Sequence, residues 1–218
     1  LIYFLCKRKC CSGTTIGGLS TTDADNGDTF TYTLVAGTGA TDNADFSISG
    51  ANLLTAAALD FETKNSYSIR VQTYDGTDSY QEVFTISVDD VNEAPTITSS
   101  TTAFTIAENQ TAIPNATITA TDVDANDTLT FSVSGNVLTI DADTGVLSFT
   151  SAPDFETTTS VTATVTVTDA AGLTDTQDVT VTVIDENDNA PVFTSSSAVT
   201  IDENETTVTT LETTDADT

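Results

Sequence analysis

A chain of 218 residues is long enough for one large domain or two of ordinary size. It carries 33 acidic residues against 5 basic ones, a formal charge of −28, and three of the five bases are Lys7, Arg8 and Lys9. Nucleic acid is excluded as a partner, because phosphate binding needs clustered Lys and Arg, and the lack of His removes the base that a nucleophilic triad needs.

Residues 1–12 are expected to lie outside the folded domains. Leu1–Leu5 followed by Lys7-Arg8-Lys9 reads as the edge of a fragment or the remnant of a membrane anchor. No run of about 18 apolar residues stands anywhere, so no transmembrane helix is expected. Cys6, Cys10 and Cys11 are the three cysteines, which leaves nothing beyond residue 11 for a disulfide to cross-link.

From residue 13 onward the pattern is that of strands. Phe30, Tyr32 and Leu34 alternate with Thr29, Thr31 and Thr33, and Tyr67, Ile69 and Val71 follow with the same period. Leu138/Ile140 and Leu147/Phe149 flank Asp141-Ala142-Asp143-Thr144-Gly145, which reads as a hairpin turn. Val161, Ala163, Val165 and Val167 alternate with threonines, as do Val179, Val181 and Val183. A period of two with one apolar face describes sheets packed on one side and wet on the other. Threonine on the wet face keeps the β-branched preference without adding apolar surface.

Self-comparison shows one order of acidic stations repeating about every 95 residues. Glu108-Asn109 returns as Glu203-Asn204, Asp60-Phe61-Glu62 as Asp154-Phe155-Glu156, and Asp75 as Asp169. Asp23-Ala24-Asp25 returns as Asp122-Val123-Asp124 and as Asp215-Ala216-Asp217. The expected layout is most of a first repeat over 13–94, incomplete at its N-terminal end, a whole second repeat over 95–190 and the truncated start of a third over 191–218. About seven short strands per repeat make an all-β chain of tandem antiparallel sandwiches.

The densest acidic runs stand at the repeat boundaries. Asp185-Glu186-Asn187-Asp188-Asn189-Ala190-Pro191 packs carboxylates and amides together before a proline, and Asp90-Val91-Asn92-Glu93-Ala94-Pro95 is a looser version. Two carboxylates about 5 Å apart repel by roughly 3 kcal/mol at an effective dielectric near 20. Hard oxygen ligands with neither His nor thiolate nearby point to calcium as the ion that relieves this.

The linker and the order of the stations resemble cadherin repeats from about Gly13 to the end of the chain. The resemblance implies Greek-key sandwiches of immunoglobulin-like architecture, with calcium bound at each junction. At the second junction it implies Glu108, Asp154, Glu156, Asp185, Asn187, Asp188, Asp215 and Asp217, with the carbonyls of Glu186 and Asn189. At the first it implies Asp60, Glu62, Asp90, Asn92, Glu93, Asp122, Asp124 and Asp169, with the carbonyls of Val91 and Ala94. Asp23, Asp25 and Asp75 would serve a junction further upstream. Two departures stand out: the first linker is one residue shorter and has Glu93 where the family usually has Asp. In addition, the position expected for the first repeat's bridging Glu falls on Lys9–Cys11. Asp42, Asp45, Asp78, Asp141 and Asp143 belong to no recurring station and are expected to be solvated turn carboxylates.

The resemblance implies an extracellular adhesion protein, secreted or membrane-anchored, stiffened by calcium. Its partner would be a protein on a cell surface, either the same adhesin or another. The alternative is a mechanical spacer of a giant surface protein that makes no adhesive contact. Paired carboxylates also occur in glycosidases, but these pairs recur where a single active site would not, and the chain has no Trp to form a sugar platform. No enzyme activity and no small-molecule substrate are expected.

Overall fold

The computed structural model describes residues 4–6, 11–24, 27–125 and 127–217. The chain divides into two compact units, Leu1–Asn92 and Glu93–Thr218. Asp25 and the Lys9–Cys10 part of the segment expected for the missing glutamate lie outside the described residues.

The first unit contains β1 (Phe4–Cys6), β2 (Thr15–Gly18), β3 (Thr31–Leu34), β4 (Phe46–Ser49), β5 (Asn52–Thr55), β6 (Ser66–Tyr74) and β7 (Ser79–Val88). These form one sheet in the order β1-β7-β6-β3 and a second in the order β2-β5-β4. Phe4–Cys6, expected outside the fold, pairs parallel to Ile86–Val88. The inward residues Tyr67, Ile69 and Val71 of β6 and Ile86 and Val88 of β7 are buried with Leu53, Leu59 and Phe46. Phe46 and Tyr67 meet edge to face, with centroids 5.7 Å apart, the arrangement that ring quadrupoles favour.

Asp42 departs from the expectation of a solvated carboxylate. It is buried in the first unit, where its Oδ1 accepts from Lys64 Nζ at 2.5 Å and its Oδ2 from the Ser68 N–H at 2.7 Å. A buried carboxylate needs such partners, since leaving it unpaired would cost the full desolvation of the charge. Lys64 also lies 4.7 Å from the Tyr67 ring centroid. Asp141, by contrast, is exposed, and its Oδ1 accepts from the Thr144 N–H at 2.8 Å and the Thr144 hydroxyl at 2.7 Å, closing its own turn.

The second unit contains β8 (Thr96–Ile97), β9 (Ala103–Ala107), β10 (Ala112–Thr117), β11 (Ala120–Thr121), β12 (Thr130–Val133), β13 (Leu138–Ile140), β14 (Val146–Phe149), β15 (Ser160–Thr168), β16 (Thr174–Ile184), β17 (Val192–Phe193) and β18 (Thr213–Thr214). The sheet orders are β12-β15-β16-β9 and β10-β14-β13, with β8–β11 and β17–β18 as short pairs. The β15–β16 ladder sets Val161 opposite Val181 and Ala163 opposite Val179. Val165, Val167, Val179 and Val181 are wholly buried as a result, and Leu147 from the facing sheet packs into the same core. Each such side chain contributes about 1.5–3 kcal/mol by leaving water. The hairpin turn expected at 141–145 joins β13 to β14, which pair antiparallel. Gly145 has φ +69°, and a Cβ there would fall 2.1 Å from the Ile118 carbonyl oxygen, so no other residue fits without moving the backbone.

Two measurements check these packing arguments. Leu147→Ala should cost the second unit about 2–5 kcal/mol in denaturant unfolding, whereas the half-exposed Val146→Ala should change it by less than about 0.5 kcal/mol. The second measurement concerns Asp42: burial pushes its carboxyl up, but the Lys64 hydrogen bond, the Ser68 N–H and the Lys64 charge together hold it below the ordinary value. A lowered carboxyl stabilises the fold above its unfolded value, near pH 3.9, and loses that contribution as pH falls through the folded value. The stability gap between the native chain and Asp42→Asn, followed by denaturant melts in chelator, should therefore be full at pH 6 and close below about pH 4.

Candidate metal centre

Glu108 organises the acidic end of the second unit. It follows β9, and its own N–H donates to the Ile184 carbonyl at 3.0 Å, extending the β9–β16 pairing to the start of the linker. Its side chain is 2% exposed. One oxygen accepts from the Phe155 N–H and the other from the Glu186 N–H, both at 2.8 Å. A single carboxylate thus ties the Asp154–Glu156 turn and the linker to one point. Phe155 packs against the core, which turns its neighbours Asp154 and Glu156 outward.

Two overlapping groups of carboxylates result. Oxygens of Glu108, Asp154 and Glu156 lie within 4.8 Å of one another, and so do oxygens of Glu156, Asp188 and Asp217. Glu156 belongs to both groups. Its own backbone N–H holds its carboxyl down, but the hydrogen bond with Asp154, partial burial and the Glu108 and Asp154 charges outweigh that and lift it above the ordinary range.

The linker is seated by hydrogen bonds that need no ion. Asn109, at φ +61°, donates its N–H to the Pro153 carbonyl at 3.0 Å and its Nδ2 to Asp188 Oδ2 at 2.6 Å. Asn189 donates its N–H to Asp217 Oδ2 at 3.0 Å and its Nδ2 to Asp217 Oδ1 at 2.9 Å. The Asn189 amide, opposed by burial and aided by nearby backbone N–H groups and Glu156, keeps the Asp217 carboxyl below its ordinary value. Asp215 orients Asp217 by accepting its N–H at 3.2 Å. Asp185 is half-buried at the end of β16, and Asn187 is exposed.

The same device stands at the other end of the second unit. The Glu93 N–H donates to Asp124 Oδ2 at 2.9 Å, and Asp122 Oδ1 accepts from the Asp124 N–H at 3.0 Å. Oxygens of Asp122, Asp124 and Asp127 lie within 4.8 Å of one another. Asp169 is buried at the β15–β16 hairpin, where its Oδ1 accepts from the Leu173 N–H at 2.7 Å. Ala94 is exposed beside Glu93. In the first unit, Asp60 Oδ2 accepts from the Thr63 hydroxyl at 3.0 Å, while Glu62, Asp90 and Val91 are exposed and Asn92 half-buried. Asp75 is held below its ordinary value by the N–H groups of Asp78 and Thr77, and Asp23 is exposed.

One residue escaped the sequence reading, and the role of another was missed. Asp127 joins the Asp122–Asp124 group, and its signal was available, since Asp28 follows Asp23 and Asp25 at the same spacing. Asn109 anchors Asp188, and its recurrence as Asn204, also at positive φ, marks a backbone position that asparagine tolerates better than most residues.

The donor set fits a calcium ion. It is all oxygen, the ligand chemistry that calcium takes. Asp122 Oδ2 is shielded from solvent and makes no hydrogen bond among the described residues, as a ligand oxygen awaiting a cation would be.

Glu108→Ala should lower the stability of the second unit in chelator by about 1–3 kcal/mol for each N–H left without an acceptor, and Glu108→Gln should restore part of it. Denaturant unfolding of the three proteins side by side reads this directly.

Comparison with known proteins converges on one kind of module. Residues 92–182 match the family model described as a bacterial Ig domain. Protocadherin Fat 4 of Mus musculus is 32% identical over 195 residues, covering 85% of this chain, and the chain spans 4% of that protein's length. Among solved structures, the EC22–24 segment of mouse cadherin-23 is similar with a TM-score of 0.78 at 23% identity, over 100% of this chain and 76% of that one. The protocadherin gammaB7 EC3–6 cis-dimer structure is similar with a TM-score of 0.71 at 28% identity, over 99% of this chain and 55% of that one.

Proposed function

Because the chain belongs to the cadherin-repeat family, whose repeats are structural rather than enzymatic, we propose that it binds calcium at its linkers and so stiffens an extracellular adhesion protein. The observation that carries this reading is the pair of carboxylate groups sharing Glu156. Bound calcium would neutralise these groups and draw them together. Glu108, Asp154 and Glu156 come from the second repeat, Asp185, Asn187 and Asp188 from the linker, and Asp215 and Asp217 from the opening of the third. One set of ligands then clasps three successive segments of chain.

The residues prepare the site. Glu108 fixes the turn and the linker, Asn109 aims Asp188, and Asn189 aims Asp217. What remains for the cation is to overcome the repulsion among groups already gathered. The first linker, through Asp90, Asn92 and Glu93, spells a shorter version of the same motif, and the same role is proposed for it from the sequence. A location outside the cell or on its surface is proposed with it, since modules of this kind usually bind calcium with affinities of about 10⁻⁴–10⁻³ M, which extracellular calcium would fill. Its partner in adhesion would be another protein of the cell surface, whether a copy of itself or a different adhesin.

Calcium titration by calorimetry, paired with thermal melting, tests the proposal. Half-saturation between about 0.1 and 1 mM and a rise in melting temperature are expected, with both blunted in Asp188→Ala. No heat and no shift at about 10 mM would leave the acidic stations as solvated turns.

A further inference from the structure

The acidic residues of this chain leave the outer faces of its two large sheets almost untouched. In the first unit, β6 turns Tyr67, Ile69 and Val71 into the core, so Ser68, Arg70, Gln72 and Tyr74 point outward. The outward positions of β3 and β7 hold Ser, Thr, Gln and Val, which leaves Arg70 as the one charge on the outward face of these three strands. In the second unit, the outward positions of β12, β15, β16 and β9 hold Thr, Ser, Ala and Ile, and Asp178 is the one charge among them.

Lys64 and Arg70 are the bases among the described residues, and Lys64 pairs with Asp42. Arg70 has no carboxylate partner among the described residues. Its Nε donates to Gln81 Oε1 and its Nη1 to the Thr38 carbonyl, each at 3.0 Å, and both acceptors are neutral. Gln81 Nε2 in turn donates to Gln72 Oε1 at 2.7 Å. The relay uses up its acceptors, so what it presents outward is N–H: the remaining guanidinium hydrogens and the Gln72 amide. The turn through Gly37 and Gly39 lies over the arginine stem and Val83. A Cβ at Gly37 would fall 3.2 Å from Arg70 Cδ, and one at Gly39 2.7 Å from Val83 Cγ1. The guanidinium is thus held in place before any ligand arrives. A fixed cation with spare donors and no acid beside it is a receptor for a carboxylate.

Asp178 offers that carboxylate in matching surroundings. Val71 lies opposite Glu82 as Val165 lies opposite Gln177, so the ladders of the two units correspond rung by rung. On one rung Arg70 lies opposite Val83, and on the equivalent rung Thr164 lies opposite Asp178. Asp178 is exposed, and its Oδ1 accepts from the Thr164 hydroxyl at 2.6 Å, which leaves Oδ2 for a partner. Each chain carries a formal charge of −28, so two copies repel wherever their acidic ends meet. The neutral sheet faces are where copies approach at least cost, and the same charge turns a polyanionic ligand away.

We propose that the Arg70 face of the first unit docks on the Asp178 face of the second unit of another copy, with Arg70 paired to Asp178. Sheets of the same twist pack face to face, and short Ser and Thr side chains let them come close. Strands of 9–11 residues make faces about 30 Å long and, over four strands, about 15–20 Å wide. Such a contact buries roughly 1,000 Å² in total, the size of a weak and transient interface. It fixes register through one charge pair, since a shifted docking leaves both charges unpaired. None of the proposed calcium ligands takes part, so the contact stands or falls apart from calcium binding.

Sedimentation velocity on the full chain in chelator reads the proposal. The native chain should associate in a concentration-dependent way near about 0.1 mM. Arg70→Glu and Asp178→Arg should each weaken association by about tenfold or more, and an equimolar mixture of the two should regain it, because each supplies the charge the other lacks. Circular dichroism checks the fold, and the exposed Asp178 gives a variant that leaves the Arg70 loop untouched. Arg70→Glu makes the chain more acidic and Asp178→Arg less so. General repulsion would therefore move the two variants in opposite directions, and that result would overturn the proposal, as would a mixture that fails to recover. So would a native chain that stays monomeric up to about 1 mM. Shifts of the Arg70 side-chain NMR signals with acetate in such a monomer would reassign the site to a small free carboxylate.

Discussion

The buried carboxylate of Glu108 is the constraint on which the acidic end of the second unit depends. Withdrawing a charge from water is costly unless every lone pair finds a donor, and here both oxygens do, on the N–H groups of Phe155 and Glu186. Those two groups belong to segments far apart in sequence. The same bonds that satisfy the charge therefore fix the Asp154–Glu156 turn and the linker relative to β9. The aligned β-ladder below supplies the rigidity, and Glu108 carries it out to the rim.

Above Glu108 the balance changes from satisfied charge to gathered charge. Asp154, Glu156 and Asp188 are exposed, and what keeps them close is the hydrogen bonding of their neighbours rather than any positive side chain. Asn109 and Asn189 matter because an amide can hold a carboxylate without neutralising it. The repulsion that remains after the backbone has been fixed is what a divalent cation would relieve, and little reorganisation would be needed on binding.

Much of this was legible in the sequence because the relevant signals are periodic. The Val–Thr alternation of 161–168 could only be a strand with one buried face, and the acidic stations identified themselves by returning in order. What stayed hidden lacked a period or a repeat. Asp42 has no recurring counterpart, and its partner Lys64 meets it only after the chain has folded through two further strands. β8 and β11 are two residues each, too short for any alternation to register. The pairing of Phe4–Cys6 with β7 was obscured by a basic stretch that directs attention to the charges rather than to the strand before them. Asn109 was visible as half of a recurring pair, yet its contribution lies in its backbone angle, which composition does not express.

One feature of the ladder bears on mechanics. β9, before the core strands of the second unit, lies beside β16, which leads into the linker, and the two run parallel over five residue pairs from Ala103–Thr180 to Ala107–Ile184. Tension entering at the head of the repeat and leaving at its tail drags these neighbours in opposite directions along their length. Every rung is then loaded at once in shear, rather than one after another as in the peeling of a hairpin. Hydrogen bonds that are individually modest must break together, so the repeat is built to bear load along its own chain axis.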